Sequence, residues 1–161
     1  FQYSSTTPEV LGQVADLLEC GVDVGRLNCR LYQEIPWDTL RVNAEVLNNM
    51  VVEHQGQISH YAMPAGTKAR LGVGLEATKD LVDIVRVVEG VRVSAIFEDL
   101  EDGRIRISLR SKDPAINVAN IAAHFGGGGH TMAAGIRMKG ELNATKAAVL
   151  EKIKEEMNNA Q

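Results

Sequence analysis

The sequence predicts an α/β protein: a mixed β-sheet flanked by helices and preceded by a helical linker. Three observations carry this expectation. Up to about residue 55 the apolar residues recur at helical spacing and no strand pattern occurs. From Gly56 onward, runs that alternate with a period of two are interleaved with helical runs. Between two of the alternating runs stands Asp102-Gly103, a two-residue hairpin signal.

The first helix starts at Thr7-Pro8-Glu9, which offers a capping hydroxyl, proline at the first helical position and an acid in the first turn. Leu11, Val14, Leu17 and Leu18 form its stripe, and Gly21 ends it. Asp23 caps a second helix carrying Val24, Leu27, Leu31 and Tyr32, which stops near Pro36. A third runs from Asp38 through Leu40, Ala44, Leu47 and Val51. Next come a strand over Ile58–Met63 and a helix over Thr78–Val88, ended by Gly90. Val91, Val93, Ala95 and Phe97 share a face of the next strand. After the hairpin, Ile105, Ile107 and Leu109 share one face and Arg104, Arg106, Ser108 and Arg110 the other. Val118, Ile121, Ala122 and Phe125 mark a short helix, Ala134–Met138 a strand, and Asn143–Met157 a last helix. The expected organisation is therefore helices over 1–35, a linker helix over 36–55 and an α/β domain over 56–161.

Composition is that of a globular protein, 45% apolar and 24% charged, and no apolar run is long enough to span a bilayer. Cys20 and Cys29 make neither a metal motif nor a disulfide framework, which points to a reducing cytoplasm. The chain opens on Phe1-Gln2-Tyr3 without an initiator Met and reads as beginning inside a domain. The formal charge of −4 is unevenly spread: residues 102–140 hold six Lys/Arg against two Asp/Glu. A basic stretch inside an acidic chain suits capture of a small anion better than wrapping of a long duplex.

Two segments point to such capture. In Phe125-Gly126-Gly127-Gly128-Gly129-His130, four glycines imply positive φ or close backbone approach, and their amides could converge on an anion. His130 beside them could hydrogen-bond a phosphate or stack on a base. A plain turn between helix and strand is the alternative. The second segment is Arg104-x-Arg106-x-Ser108-x-Arg110-Ser111-Lys112. Guanidinium forks match phosphate oxygens. Arg104 and Arg106 read as the solvated face of an edge strand, whereas Arg110 and Ser111, at the strand end, read as ligand-binding. The acids of Glu98–Asp102 read as a solvated hairpin tip, and His54 and His60 as surface residues. His124 and His130 fit no usual zinc spacing.

Ile107-Ser-Leu-Arg-Ser-Lys112 and Asn117–Gly135 together resemble the DHH-associated domain of the first type, the C-terminal half of DHH phosphoesterases. Phe1–Glu9 is similar to the segment that follows the family's last metal motif, so the resemblance extends over the whole chain. The similarity is greatest to the nano-RNase and adenosine bisphosphate phosphatase group. It implies that residues 1–35 are a remnant of the catalytic domain and that the chemistry, water activation by two Mn²⁺ ions, belongs to an N-terminal DHH domain. This chain would bind no metal and would be inactive alone. It would close over that domain, its partner, with Arg110 and Ser111 on phosphate or ribose and Gly126–Gly129 with His130 on the terminal nucleotide of a short single strand. A cyclic di-AMP phosphodiesterase and the single-strand-binding domain of a RecJ-type exonuclease are the alternatives. The second of these calls for aromatic platforms, and only 4% of the residues are aromatic.

Overall fold

The computed structural model describes residues 5–160, and the chain parts at Pro36 into two units, Phe1–Pro36 and Trp37–Gln161. In the first, α1 (Pro8–Glu19) is capped by the Thr7 hydroxyl, which accepts from the Val10 amide. Helix α2 (Val24–Asn28) is capped by Asp23 and runs into a π-helical turn, Cys29–Gln33. Neither α1 nor α2 buries a residue; Leu11, Leu17, Leu18, Leu27 and Leu31 are all exposed. The expected similarity of residues 1–4 to a catalytic-domain segment lies outside the described residues.

The second unit begins with α3 (Trp37–Asn49), β1 (Val51–Glu53) and β2 (Ile58–Met63). Helix α4 (Thr67–Leu71), a 3₁₀ turn (Leu75–Thr78) and α5 (Val82–Val85) lead to β3 (Val93–Asp99) and β4 (Arg104–Ser111). The chain closes with α6 (Val118–His124), β5 (Gly128–His130), β6 (Ala133–Lys139) and α7 (Leu142–Asn159). The six strands form one mixed sheet in the order β1-β2-β3-β4-β6-β5, with β2 and β3 parallel and every other pair antiparallel.

Strand alternation sorts the core into two layers. Ile58, Val93, Phe97, Ile105, Ile107 and Leu109 pack with α6 and α7 through Ile121, Val149, Ile153 and Met157. On the opposite face, Tyr61, Met63 and Ile96 pack with α3 and α5 through Val42, Val46, Val82 and Val85. This second layer ends at α5. Beyond it Gly135, Arg137, Lys139 and all of β5 are exposed, so the sheet is bare there.

Several expectations are corrected. The helix read as a linker over 36–55 belongs to the second unit: Val42 and Val46, one turn apart, are fully buried, while Leu40 and Leu47 of the expected stripe are exposed. Val51 leaves the helix for β1. The helix expected over 78–88 shrinks to Val82–Val85, because Asp80 takes a left-handed φ of 57°. The hairpin is wider than two residues. Leu100 N–H donates to the Arg104 carbonyl across Glu101–Gly103, and both Glu101 (φ 64°) and Gly103 (φ 77°) are left-handed. His60 and Glu98 are buried, not solvated.

His60, 4% exposed, stands edge-on to Phe97 and 3.8 Å from Glu53. Burial pushes its imidazole below the usual 6.5; Glu53 opposes this shift, while Lys146 and Lys154 reinforce it. The unfolded chain therefore takes up a proton that the folded one refuses. This contribution is complete above about pH 6.5 and shrinks as pH falls toward the depressed folded value. The melting temperature is expected to drop between pH 7 and pH 5, and to drop less in His60→Leu. Equal slopes for both proteins would assign the effect to another group.

Candidate functional site

The bare half of the sheet is organised in rows, because residues directly opposite in antiparallel strands share a face. Arg110, Ala133 and His130 make one row across β4, β6 and β5. Ser108, Gly135 and Gly128 make the next, and Arg106 with Arg137 the third. Two strand spacings separate Arg110 from His130, about 10 Å. The middle row has one hydroxyl and no other side chain. It floors a shallow groove of about 500 Å³ that runs from Gly126–Gly128 past Ser108 to Arg106 and Arg137. A second hollow of about 230 Å³ adjoins it, walled by Thr78–Val82 and lined by Ser108, Arg106 and Arg110.

Each glycine of the Gly126–Gly129 run has its own reason. Gly126 (φ 75°) terminates α6 in a Schellman motif: its N–H donates to the Ala123 carbonyl, and that of Gly127 to the Ala122 carbonyl. Those two amides are thereby consumed, so the expected convergence of loop amides on an anion does not hold for them. A Cβ on Gly127 would lie 2.3 Å from the Gly135 carbonyl oxygen. On Gly129 (φ 152°) it would lie 2.4 Å from that of Ala133. Both residues are glycine so that β5 can approach β6. Gly128 differs. It has ordinary φ, and nothing lies within 4 Å of where its Cβ would stand. The fold does not require glycine there, and the missing side chain leaves the groove floor bare.

The Arg110 side chain is three-quarters covered, donates to the Leu109 carbonyl at 3.2 Å and lies 3.9 Å from Asp83 on α5. Asp83 also pairs with Arg86 at 3.3 Å, so it tethers Arg110 loosely and leaves donors for a ligand. The His130 imidazole is exposed and has no hydrogen-bond partner among the described residues, while its backbone pairs with β6. Arg106 is pinned by the buried Glu98, which also takes Lys68 Nζ at 2.9 Å.

Ser111 is not part of this face. It is 3% exposed, and its hydroxyl donates to the Asp113 carbonyl at 2.7 Å while accepting the Asp113 amide at 3.0 Å. This closed local turn caps the strand end. The hydroxyl on the open face is Ser108, which sequence reasoning placed among the arginines without singling it out. The strand itself is internal, between β3 and β6, so Arg104 and Arg106 do not lie on an edge.

A larger cleft of about 540 Å³ opens at the β2 side of the sheet, but Glu45, Asp99 and Glu141 line it against Lys146 alone. Its charge disfavours an anion. Tyr61 within it, buried and beside Glu45, has its phenol pushed up to about 12 and is neutral. Among the described residues no group of three or more His, Cys, Asp or Glu is placed to hold a metal ion, and no helix is long and apolar enough to cross a membrane.

Comparison with known proteins gives this geometry its kin. Over 161 residues the chain is 35% identical to the bifunctional oligoribonuclease and PAP phosphatase NrnA of Thermus thermophilus, covering 99% of the chain and 47% of that protein. With NrnA of Bacillus subtilis the identity is 27% over 135 residues, covering 84% and 42%. The chain thus spans about half the length of the curated relatives it matches. The crystal structure of an exopolyphosphatase-related protein from Bacteroides fragilis superposes with a TM-score of 0.89 at 23% identity, over 99% of this chain and 47% of that one. Residues 65–159, from the loop after β2 to the end of α7, match the DHHA1 domain, and the chain belongs to that family.

Proposed function

We propose that this chain is the substrate-gripping part of a phosphoesterase that acts on short oligoribonucleotides and adenosine bisphosphate. The observation that carries the reading is the bare row of Ser108, Gly135 and Gly128, flanked by a guanidinium at Arg110 and an imidazole at His130. Arg110 would take a phosphate through charge-assisted hydrogen bonds, while the flat glycine floor would receive the sugar and base beside His130. Ser108 would supply a neutral donor between them. The names of the relatives, which couple oligoribonuclease and phosphatase activity, support the substrate class.

The chemistry would reside in a DHH catalytic domain with two Mn²⁺ ions, the partner this grip serves; alone, the chain would hold substrate without hydrolysing it. The exposed leucines of α1 and α2 support docking of the first unit on such a domain. Both cysteines are free, which suits a reducing cytoplasm.

The test is titration of the isotopically labelled chain with AMP, which one wall of a cleft is expected to hold at roughly millimolar affinity, about −4 kcal/mol. The amides of residues 106–110 and 126–130 are expected to shift first, and Arg110→Ala is expected to weaken binding about tenfold to a hundredfold. Largest shifts at the hairpin, residues 99–103, would refute the site.

A further inference from the structure

We propose that Arg137 and Lys139, with Arg106 and Arg104 opposite them, form a distal phosphate track that carries single strands longer than the unit held at Arg110 and His130. The proposal rests on the reading above and extends its site along the sheet. Two consecutive rows place cations directly opposite each other, Arg106 with Arg137 and Arg104 with Lys139. Like charges in that position repel across antiparallel strands. On β4 the repulsion is relieved, since Glu98 pairs with Arg106 and Asp102 with Arg104. On β6 it is not. Arg137 and Lys139 are exposed, and among the described residues no carboxylate pairs with either.

What would relieve it is an anion with several charges at regular spacing. Alternate residues of a strand lie about 6.7 Å apart, so three steps from the Arg110 row to the Arg104–Lys139 row span about 20 Å. That length accommodates about six stacked nucleotides at about 3.4 Å each, or fewer in an extended strand. The track is continuous with the grip, because the groove floored by Gly128 and Gly135 already reaches Arg106 and Arg137. No aromatic side chain stands on the Arg106–Arg137 and Arg104–Lys139 rows, so there the ligand is read as a phosphodiester backbone without preference for base.

The experiment compares AMP with a fluorescently labelled six-nucleotide adenylate strand, across a salt series. In the double variant Arg137→Gln, Lys139→Gln, the strand is expected to bind roughly tenfold more weakly. The slope of log affinity against log salt is expected to flatten by about 1.4, the loss of two single-strand phosphate contacts. AMP affinity is expected to fall much less than strand affinity, because Arg137 stands at the end of the groove away from Arg110. Both residues are exposed, and an unchanged melting temperature will confirm that the variant is folded. Wild-type strand affinity and slope in that variant would overturn the track, as would an equal loss for AMP and strand. Arg110→Ala reports separately on the grip: failure to weaken AMP would sink the underlying reading, whatever the double variant does.

Discussion

Glu98→Ala is expected to lower the stability of the domain by about 3 kcal/mol or somewhat more, toward the lower end of the cost of breaking a buried ion pair. Glu98 is 3% exposed and receives both Lys68 and Arg106, with Thr78 within 3.5 Å. Without the carboxylate the Lys68 ammonium, 15% exposed, is left in the wall between α4 and β3 with no counter-charge. Arg106 contributes less, because its side chain is 37% exposed and water screens it. The loss is read from urea unfolding, and Glu98→Leu with Lys68→Met is expected to recover most of it, since an apolar pair replaces a charged one at little cost. A Glu98→Ala protein within about 1 kcal/mol of wild type would show that Lys68 and Arg106 find water instead, contrary to the burial seen here.

Gly129→Ala is expected to abolish measurable AMP binding, and Gly128→Ala to weaken it without touching the fold. At Gly129 a methyl group would meet the Ala133 carbonyl oxygen at 2.4 Å and the Ala134 Cα at 2.5 Å, both backbone atoms that cannot turn aside. Strand β5 must then leave β6, carrying His130 with it, at a cost of about 1–3 kcal/mol for the strained backbone. Gly128→Ala meets nothing, so its melting temperature is expected to equal that of wild type while the methyl occupies the floor of the groove. Calorimetry and AMP titration of the two proteins separate these effects. Normal binding by Gly129→Ala would remove β5 from the site.

Much of this was legible in the sequence because local rules and tertiary structure agree. Thr7, Gly21 and Gly126 cap helices as their residue types predict, and Ile105, Ile107 and Leu109 alternate into the core. Parity likewise puts Arg110 on the open face of β4, and the glycine run makes the positive-φ turn and close strand approach that its composition implies. Ser111 was misplaced although strand parity speaks against it: neighbours in a strand face opposite ways, so Arg110 and Ser111 cannot share one face. The same parity favours Ser108. Glu98 was misjudged for a different reason, because its burial depends on Lys68, thirty positions away, and on a wall built by the Thr78–Val82 segment. No local signal carries that information. The three-residue strands β1 and β5 are too short for alternation to show, and only pairing with β2 and β6 makes them strands.

The single parallel pair, β2 with β3, has a consequence for the order in which this domain assembles. The strands β3, β4, β6 and β5 with α6 are joined by short connections, and their contacts are local in sequence. Strand β2 reaches β3 only after residues 64–92 have crossed over, a closure that costs chain entropy before any pairing offsets it. That same crossover carries Thr78, Val82 and Asp83, which wall the hollow and tether Arg110. The platform can therefore form early, but ligand competence arrives with the slowest contacts. When the complete chain refolds, the Arg110 tether is therefore expected to form after the β4–β6 platform.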